Sequence, residues 1–337
     1  MGLNHIPAAP QTLDRRQLLT ARPRPQSPYW VRVHRAAMAC RFEVTRSGED
    51  AAGVGAAQAA LREAARLEDL FSVFRESSEL TAVNRRAARE PVPVSADLCA
   101  ILARCAELNR TTDGAFDITS TPLSRCWGFL RRNGRVPGAA MIAAARSLVG
   151  MSGVRLDREA LTVAFARTGL ELNLGSIGKG FAVQRIAAAL KRSGVRHALV
   201  SAAGSSVFAL GGRGGWPVDV TSRRVARRTL ARLRLRNRAL ATSGAGEQYV
   251  DAGGTRYGHV LDPRTGWPAR GVLSATAITS DAADADALAT AFLVGGEDLA
   301  RRYCDAHPGT MALLARDDDA ATTIVIGRSA GVEVEQL

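Results

Sequence analysis

Leu172-Asn173-Leu174-Gly175-Ser176-Ile177-Gly178-Lys179-Gly180 reads as a strand, a glycine-rich turn and the start of a helix. Leu170, Leu172 and Leu174 alternate, which predicts a strand. Phe181, Ile186 and Leu190 then predict a helix. A turn of this kind lets backbone N–H groups approach an anion, and the helix dipole adds to the attraction. The pattern is neither GxGxxG nor a Walker A loop, because Gly180 follows the lysine where Ser or Thr would be needed. A plain strand–helix turn has the same spacing. Lys179 sets this one apart: all but two of the 45 basic residues are arginine, and Lys179 is one of those two. A lysine there suggests a need for a compact ammonium.

Around this segment, period-two alternation predicts a strand pair at 29–33 and 40–44. A long helix follows, with Leu67, Leu70, Phe71 and Phe74 on one face. Ser95 to Arg110 is a second helix, capped by Ser95, with Leu98, Ile101, Leu102, Cys105 and Leu108 as its apolar stripe. A short helix is expected at Met141–Val149, a hairpin around Asp157-Arg158, a strand at Ala198–Ser201 and a helix from about Asp284 to Val294. Strands and helices mix without strict alternation, which indicates an α+β fold and not a doubly wound sheet. No linker-like stretch interrupts 28–330, so residues 28–337 are expected to form one domain with two lobes.

Composition sets limits on function. The chain has 337 residues, a net charge of +13 and 46% hydrophobic residues. It has no apolar run of the roughly 18–20 residues that a membrane-spanning helix needs. The arginines are scattered and not interleaved with aromatics, so no nucleic-acid partner is expected. The five cysteines form no CxxC or zinc spacing, and no disulfide framework is expected. Arg15-Arg16-Gln17-Leu18-Leu19 resembles the start of a twin-arginine signal, but Thr20–Pro25 supplies no apolar h-region. Residues 1–27 are read as a flexible Pro/Arg-rich extension, and the chain as written is expected in the cytoplasm.

Three further segments could carry chemistry. Asp286 and Thr290 lie at i and i+4, on one face of a helix. Two oxygens so placed suit a hard cation such as Mg²⁺; an exposed Asp beside a packing Thr is the plainer alternative. At a site edge, Asp286 is expected to contribute little to the core. His259 and Asp262 flank a Pro/Gly turn, where an imidazole could reach a substrate. A structural His before an Asp-Pro turn fits that spacing too. In Asp113-Gly114-Ala115-Phe116-Asp117, the Phe could stack on a planar ring and Asp117 could bond a polar edge.

The joint order of these segments resembles the FAD:protein FMN transferases, the ApbE-type flavin transferases. The resemblance runs from about residue 36 to 330. It includes Met38, Glu68–Ser72, Ser78-Glu79-Leu80, Asn84, Asp113–Asp117, Leu174–Gly180, Ala241–Gly244, His259–Gly266 and Ala285–Thr290 with Gly295. It implies a two-lobed, T-fold-like mixed α/β architecture and an Mg²⁺-dependent transfer of the FMN half of FAD to an acceptor protein's threonine, with release of AMP. By the same resemblance Met38, Phe74, Ala115, Phe116, Asp117, Asn173 and Val260 would line the FAD site, with Lys179 beside the diphosphate. Asp286 and Thr290 would hold Mg²⁺ with the carbonyl of Ser176, and His259 would deprotonate the acceptor. Some members hydrolyse FAD to FMN and AMP instead, and members often work outside the cytoplasm. The sequence departs from the family pattern at Asn173 and Gln184, where acidic residues are usual, and at Ala203-Gly204-Ser205, where a Gly-Gly-Asp-like turn is usual. A flavin-binding protein with a decayed site is the non-enzymatic alternative.

The scattered arginines lead to the expectation that the protein does not bind single-stranded or duplex DNA with sub-micromolar affinity at physiological salt. A salt titration by fluorescence anisotropy checks this, since a genuine site would show affinity falling steeply with salt.

Overall fold

The computed structural model describes residues 30–47, 53–212, 214–221, 229–244, 248–318 and 322–336. The N-terminal extension and its twin-arginine-like motif lie outside the described residues. In chain order, β1 (Trp30–Ala37) and β2 (Cys40–Ser47) are followed by α1 (Gly53–Phe71), α2 (Glu79–Arg86), β3 (Val92–Pro93), α3 (Ala96–Thr111), α4 (Thr121–Cys126) and α5 (Ala139–Arg146). Then come β4 (Val154–Asp157), β5 (Thr162–Phe165), α6 (Gly178–Arg192), β6 (Ala198–Ala202), β7 (Ser206–Leu210), β8 (Trp216–Thr221), β9 (Thr229–Leu235) and β10 (Arg238–Gly244). The last elements are β11 (Tyr249–Ala252), β12 (Thr255–Gly258), β13 (Val272–Thr279), α7 (Ala282–Ala306), β14 (Met311–Arg316), β15 (Thr323–Gly327) and β16 (Val332–Gln336).

An eight-stranded sheet in the order β1-β2-β6-β7-β10-β13-β14-β15 forms the centre. Every pairing in it is antiparallel. This is the expected α+β class. The inner strands are buried on both faces. In β14, Ala312 and Leu314 face the main core, whereas Met311, Leu313 and Ala315 face a second core under a three-stranded sheet, β16-β9-β8. Helices α1, α6 and α7 cover the first face. Ala275 and Ala277 of β13 present small side chains to that core, which lets α7 lie close on the sheet. A register shift between Val272 and Ser274 turns Leu273 to the other face.

Several local expectations match the structure. Ser95 caps α3 through its Oγ, 3.3 Å from the Leu98 N–H, and all five stripe residues are buried. The 154–165 hairpin and the short helix α5 are present. All five cysteines are free. Three details differ. Residues 170–174 form no strand: Asn84 brackets Leu172, its Oδ1 accepting the Leu172 N–H at 2.8 Å and its Nδ2 donating to the Leu172 carbonyl at 2.9 Å. A side chain thus supplies both hydrogen bonds that a neighbouring strand would have supplied. Phe74 lies beyond the end of α1, in the turn before α2. α7 continues to Ala306, past Gly295-Gly296, where a stop signal would be read. Gly296 takes φ +67 and kinks the helix without ending it.

The tightest helix contact is at Gly180. A Cβ there would lie 2.1 Å from the Ala282 carbonyl oxygen and 2.6 Å from the Asp286 Cβ. Gly178, two residues earlier, has no such neighbour: the nearest atom, Leu174 Cβ, is at 3.9 Å. Gly180→Ala is therefore expected to destabilise by about 1–3 kcal/mol through overpacking. Gly178→Ala is expected to be neutral or stabilising by roughly 0.4–1 kcal/mol, because it restricts the unfolded chain. Urea denaturation of the two variants checks the contrast.

Candidate functional site

The site is built where the start of α6 meets the first turns of α7. Asp281 caps α7, its Oδ1 accepting the Ala283 N–H at 2.8 Å and the Asp284 N–H at 3.3 Å. Burial and the neighbouring Asp284 push the Asp281 carboxyl above the ordinary range. Asp284 is held from α3 by a two-pronged pair with Arg104, both contacts 2.6 Å. Gln184 on α6 accepts the Ala282 N–H at 3.1 Å. A neutral amide at this departing position therefore closes the helix start. With Asp281 and Asp284 engaged, Asp286 is the carboxylate directed to α6.

Asp286 is only 4% exposed, which overturns the expectation that it contributes little to the core. Its Oδ2 accepts the Gly180 N–H at 2.9 Å, and its Oδ1 accepts the Ser206 hydroxyl at 3.1 Å. Lys179 Nζ stands 3.9 Å from Oδ1 and also donates to the Gly175 carbonyl at 3.3 Å. One turn along α7, Thr290 Oγ1 lies 3.0 Å from Ser243 Oγ at the end of β10. Neighbouring Thr242 pairs with Thr276 at 2.8 Å. Asp286 and Ser206, both buried, and Thr290 and Ser243, both half-buried, thus gather oxygens along one face of α7 with one ammonium beside them. Ser176 lies in the turn just before α6, half-buried.

The β1–β2 turn approaches the same place. Met38 and Ala39 take φ +51 and +55, which suits a tight two-residue hairpin turn. Burial pushes the Cys40 thiol up, Lys179 pulls it down, and Asp286 and Glu68 add to the rise. Cys40 therefore lies within the field of the Lys179–Asp286 pair. A cavity of about 450 Å³ opens here, lined by Ala36, Ala37, Ala39, Cys40, Arg41 and Glu68. Phe71 at the end of α1 meets Phe181 of α6 edge-on, with ring centroids 5.6 Å apart. Phe74, three residues on, is 79% exposed, so its ring is open to stacking. Its turn is held by Arg75, which pairs with Glu68 at 2.9 Å and with Asp69.

The 115–117 segment lies beside Asn173, whose N–H donates to the Ile118 carbonyl at 2.8 Å. Ala115 and Phe116 are buried, and Phe116 is only 1% exposed. The Phe116 ring packs in the core, so a ring stacking on it would have to displace core contacts. Asp117 also points inward. It accepts from Thr119 Oγ1 at 2.6 Å, the Thr119 N–H at 2.8 Å, Asn109 Nδ2 at 3.2 Å and the Met151 N–H at 3.3 Å. Burial pushes its carboxyl up, and these hydrogen bonds pull it back. The Asn173 side chain accepts the Gly175 N–H at 2.8 Å and shapes the turn before Lys179.

His259 begins a loop that returns to α7. Its N–H donates to the Gln248 carbonyl at 3.0 Å, and its ring meets Phe129 edge-on at 6.4 Å. Val260 packs against the main core, and its carbonyl accepts the Ala269 N–H at 2.9 Å. Asp262 is committed to its own turn, accepting the Arg264 N–H and guanidinium at 2.9 Å. A cavity of about 600 Å³ separates this loop from Val294, two turns along α7 from Asp286. Ser206 had no mark in the sequence, and Ser243 and Gly180 were marked only as members of motifs, not as partners of Thr290 and Asp286. Ser206 and Ser243 lie 80 and 47 residues from their partners, and only the sheet brings them in.

The chain is similar to known proteins over most of its length. The model of the ApbE family matches residues 38–314. "FAD:protein FMN transferase" of Haemophilus influenzae is 30% identical over 265 residues, which is 75% of this chain and 76% of that protein. Its namesake in Klebsiella pneumoniae is 32% identical over 223 residues, covering 66% and 69%. Among solved structures, the ApbE protein of Thermotoga maritima aligns with TM-score 0.77 and 30% identity over 90% of this chain and 97% of that one. Flavin Transferase ApbE from Vibrio cholerae aligns with TM-score 0.78 and 25% identity over 90% and 98%. With more than half of its residues matched by the family model, and with relatives of this identity and coverage, the chain belongs to the ApbE family.

Proposed function

We propose that this protein transfers the FMN moiety of FAD to a threonine hydroxyl of an acceptor protein, releasing AMP. The observation that carries the reading is the Asp286 carboxylate, almost fully buried beside Lys179 and one turn before Thr290. A buried carboxylate with hydroxyl neighbours and a single ammonium suits a site for a divalent cation and a diphosphate. The names of the relatives support transfer of FMN from FAD to a protein.

The donor set fits Mg²⁺. Asp286, Thr290 and the Ser176 carbonyl would hold it, all through hard oxygens. When bound, the ion would offset negative charge on the diphosphate and on the departing AMP. Lys179 adds a positive charge next to Asp286 and can pair with a phosphate oxygen. The exposed Phe74 ring offers a stacking surface for the isoalloxazine. His259 removes the proton from the acceptor hydroxyl as its oxygen bonds to the FMN-side phosphorus and the bond to the AMP phosphate oxygen breaks. Water in place of the threonine would give FAD hydrolysis at the same site.

Asp286→Asn keeps an oxygen for the Gly180 N–H but removes the charge. It is expected to lower FAD turnover by more than the roughly 10–100-fold that loss of a supporting group costs a metal site. Thr290→Ala should cost less, because Thr290 brings no charge. Turnover measured at limiting and saturating Mg²⁺ checks both, and an Asp286→Asn enzyme at wild-type rate with limiting Mg²⁺ moves the cation elsewhere.

His259→Ala is expected to lower flavin transfer about 10²–10⁴-fold. FAD affinity should hold, since His259 is assigned to the acceptor and not to FAD. A base works only when neutral, so wild-type transfer should fall toward acid pH as the imidazole protonates. Intact-mass flavinylation of a threonine-bearing acceptor, alongside FAD titration, reads both. Unchanged transfer would remove His259 from that role.

A further inference from the structure

We propose that Asn84 is a positioning residue for the diphosphate: from α2 it fixes the backbone at Leu172, and through it the turn that carries Lys179. This rests on the transfer reading above, which sets the FAD diphosphate beside Lys179.

The segment before the turn is held accurately without belonging to a sheet. Leu170, Leu172 and Leu174 are buried, which keeps the segment on the core but leaves its backbone polar groups to find partners. Asn84 takes both groups of Leu172, accepting its N–H at 2.8 Å and donating to its carbonyl at 2.9 Å. Two bonds from one planar amide fix the place of Leu172 and the rotation of the chain there. The next N–H, of Asn173, donates to the Ile118 carbonyl at 2.8 Å.

From this point hydrogen bonds run through the turn to Asp286. Asn173 Oδ1 accepts the Gly175 N–H at 2.8 Å. The Leu174 carbonyl accepts the Ile177 N–H at 3.1 Å and the Gly178 N–H at 2.7 Å. Lys179 Nζ donates to the Gly175 carbonyl at 3.3 Å, and the Gly180 N–H reaches Asp286 at 2.9 Å. Gly175 and Gly178 give this short stretch backbone freedom, so its shape depends on how its two ends are held. Asp286 holds the exit through Gly180, and Asn84 holds the entry through Leu172. The Lys179 ammonium, 3.9 Å from Asp286 Oδ1 and tethered to the Gly175 carbonyl, takes its place from both.

Asn84 is presented from a rigid helix. Leu80 and Val83 on α2 are fully buried. Ser78 caps α2, its Oγ accepting the Thr81 N–H at 3.0 Å and donating to the Ser72 carbonyl at 2.6 Å. Glu79 accepts the Ser95 N–H at 2.9 Å, which ties α2 to the start of α3. A contact made from so fixed a base, to a segment 88 residues away, passes little slack to the turn. The requirement is for an amide: Ala satisfies neither group of Leu172, and Asp sets an oxygen against the Leu172 carbonyl.

The test is a double-mutant cycle on FAD affinity in the full chain, read by flavin fluorescence in EDTA so that FAD is not consumed. Asn84→Ala is expected to weaken FAD binding about tenfold where Lys179 is present, at the low end of what supporting residues contribute to a bound site. In a Lys179→Ala background the same change should cost less than about threefold, because residues that act through one another do not add. Val83→Ala loosens α2 without touching the Leu172 bonds; it is expected to lower Tm but to keep FAD affinity within about twofold of wild type. Asn84→Asp keeps an acceptor for the Leu172 N–H and loses the donor, so it should show the same coupling to Lys179, and it carries the test if Asn84→Ala does not fold. Additive losses overturn the proposal, as does an equal loss of FAD affinity in Val83→Ala. Loss of the fold in both Asn84 variants assigns Asn84 to stability and overturns it as well. Intact-mass flavinylation of an acceptor separates this proposal from the reading it rests on. Transfer by the wild type with additive losses removes the positioning role alone. Coupling of Asn84 to Lys179 in a chain that binds FAD but transfers no FMN keeps the positioning role and removes the transfer reading, and a wild-type chain that does not bind FAD removes both.

Discussion

The structure turns on one carboxylate taken out of water. Asp286 is buried where α6 and α7 cross, and a charge so placed is costly unless it is fully bonded. Gly180 and Ser206 each give it a hydrogen bond, and Lys179 gives it an opposite charge nearby. For the Gly180 N–H to reach it, α6 must approach α7 more closely than any side chain allows, which is why residue 180 has no Cβ. The glycine-rich turn is thus a packing device. The contact that brings the helices together also sets the Lys179 ammonium beside Asp286.

The surrounding architecture supports that crossing. The antiparallel sheet holds β7 and β10 side by side and carries Ser206 and Ser243 to the Asp286–Thr290 face of α7. Small residues on β13 keep α7 close to the sheet. Asp281, Gln184 and the Arg104–Asp284 pair hold the start of α7 from three directions. Buried polar groups satisfied in this way have one arrangement, so the first turns of α7 form a rigid base for a site. One face of α7 runs from Asp286 through Thr290 to Val294. Cys40 lies near its Asp286 end, and the cavity of about 600 Å³ opens at Val294.

Much of this was legible in the sequence because it is local. The Ser95 cap, the stripe of α3, the 154–165 hairpin and the i, i+4 spacing of Asp286 and Thr290 depend on residues a few positions apart, whose geometry is set by helix and strand periods. The rarity of lysine singled out Lys179. The order of the motifs pointed to the family, which the comparisons bear out. Periodicity misled where a distant side chain took over: Leu170, Leu172 and Leu174 alternate like a strand, yet Asn84 bonds Leu172 from 88 residues away. The helix expected to end near Val294 instead runs on to Ala306 through a kink at Gly296.

By itself the sequence determined the α+β class, the caps and stripes of the helices, and the chemical character of each motif, since these follow from short-range sterics and from residue chemistry. Only the tertiary structure decided how those motifs are used. It buried Phe116 and turned Asp117 inward, although both read as open to a ligand. It committed Asp281 and Asp284 to capping and pairing, which left Asp286 to face α6. It also gathered Phe129, Tyr257 and Trp267 around the buried Trp127. The reason is physical: whether a polar or aromatic group contacts solvent, ligand or core depends on what lies opposite it, and those neighbours come from parts of the chain that no local pattern records.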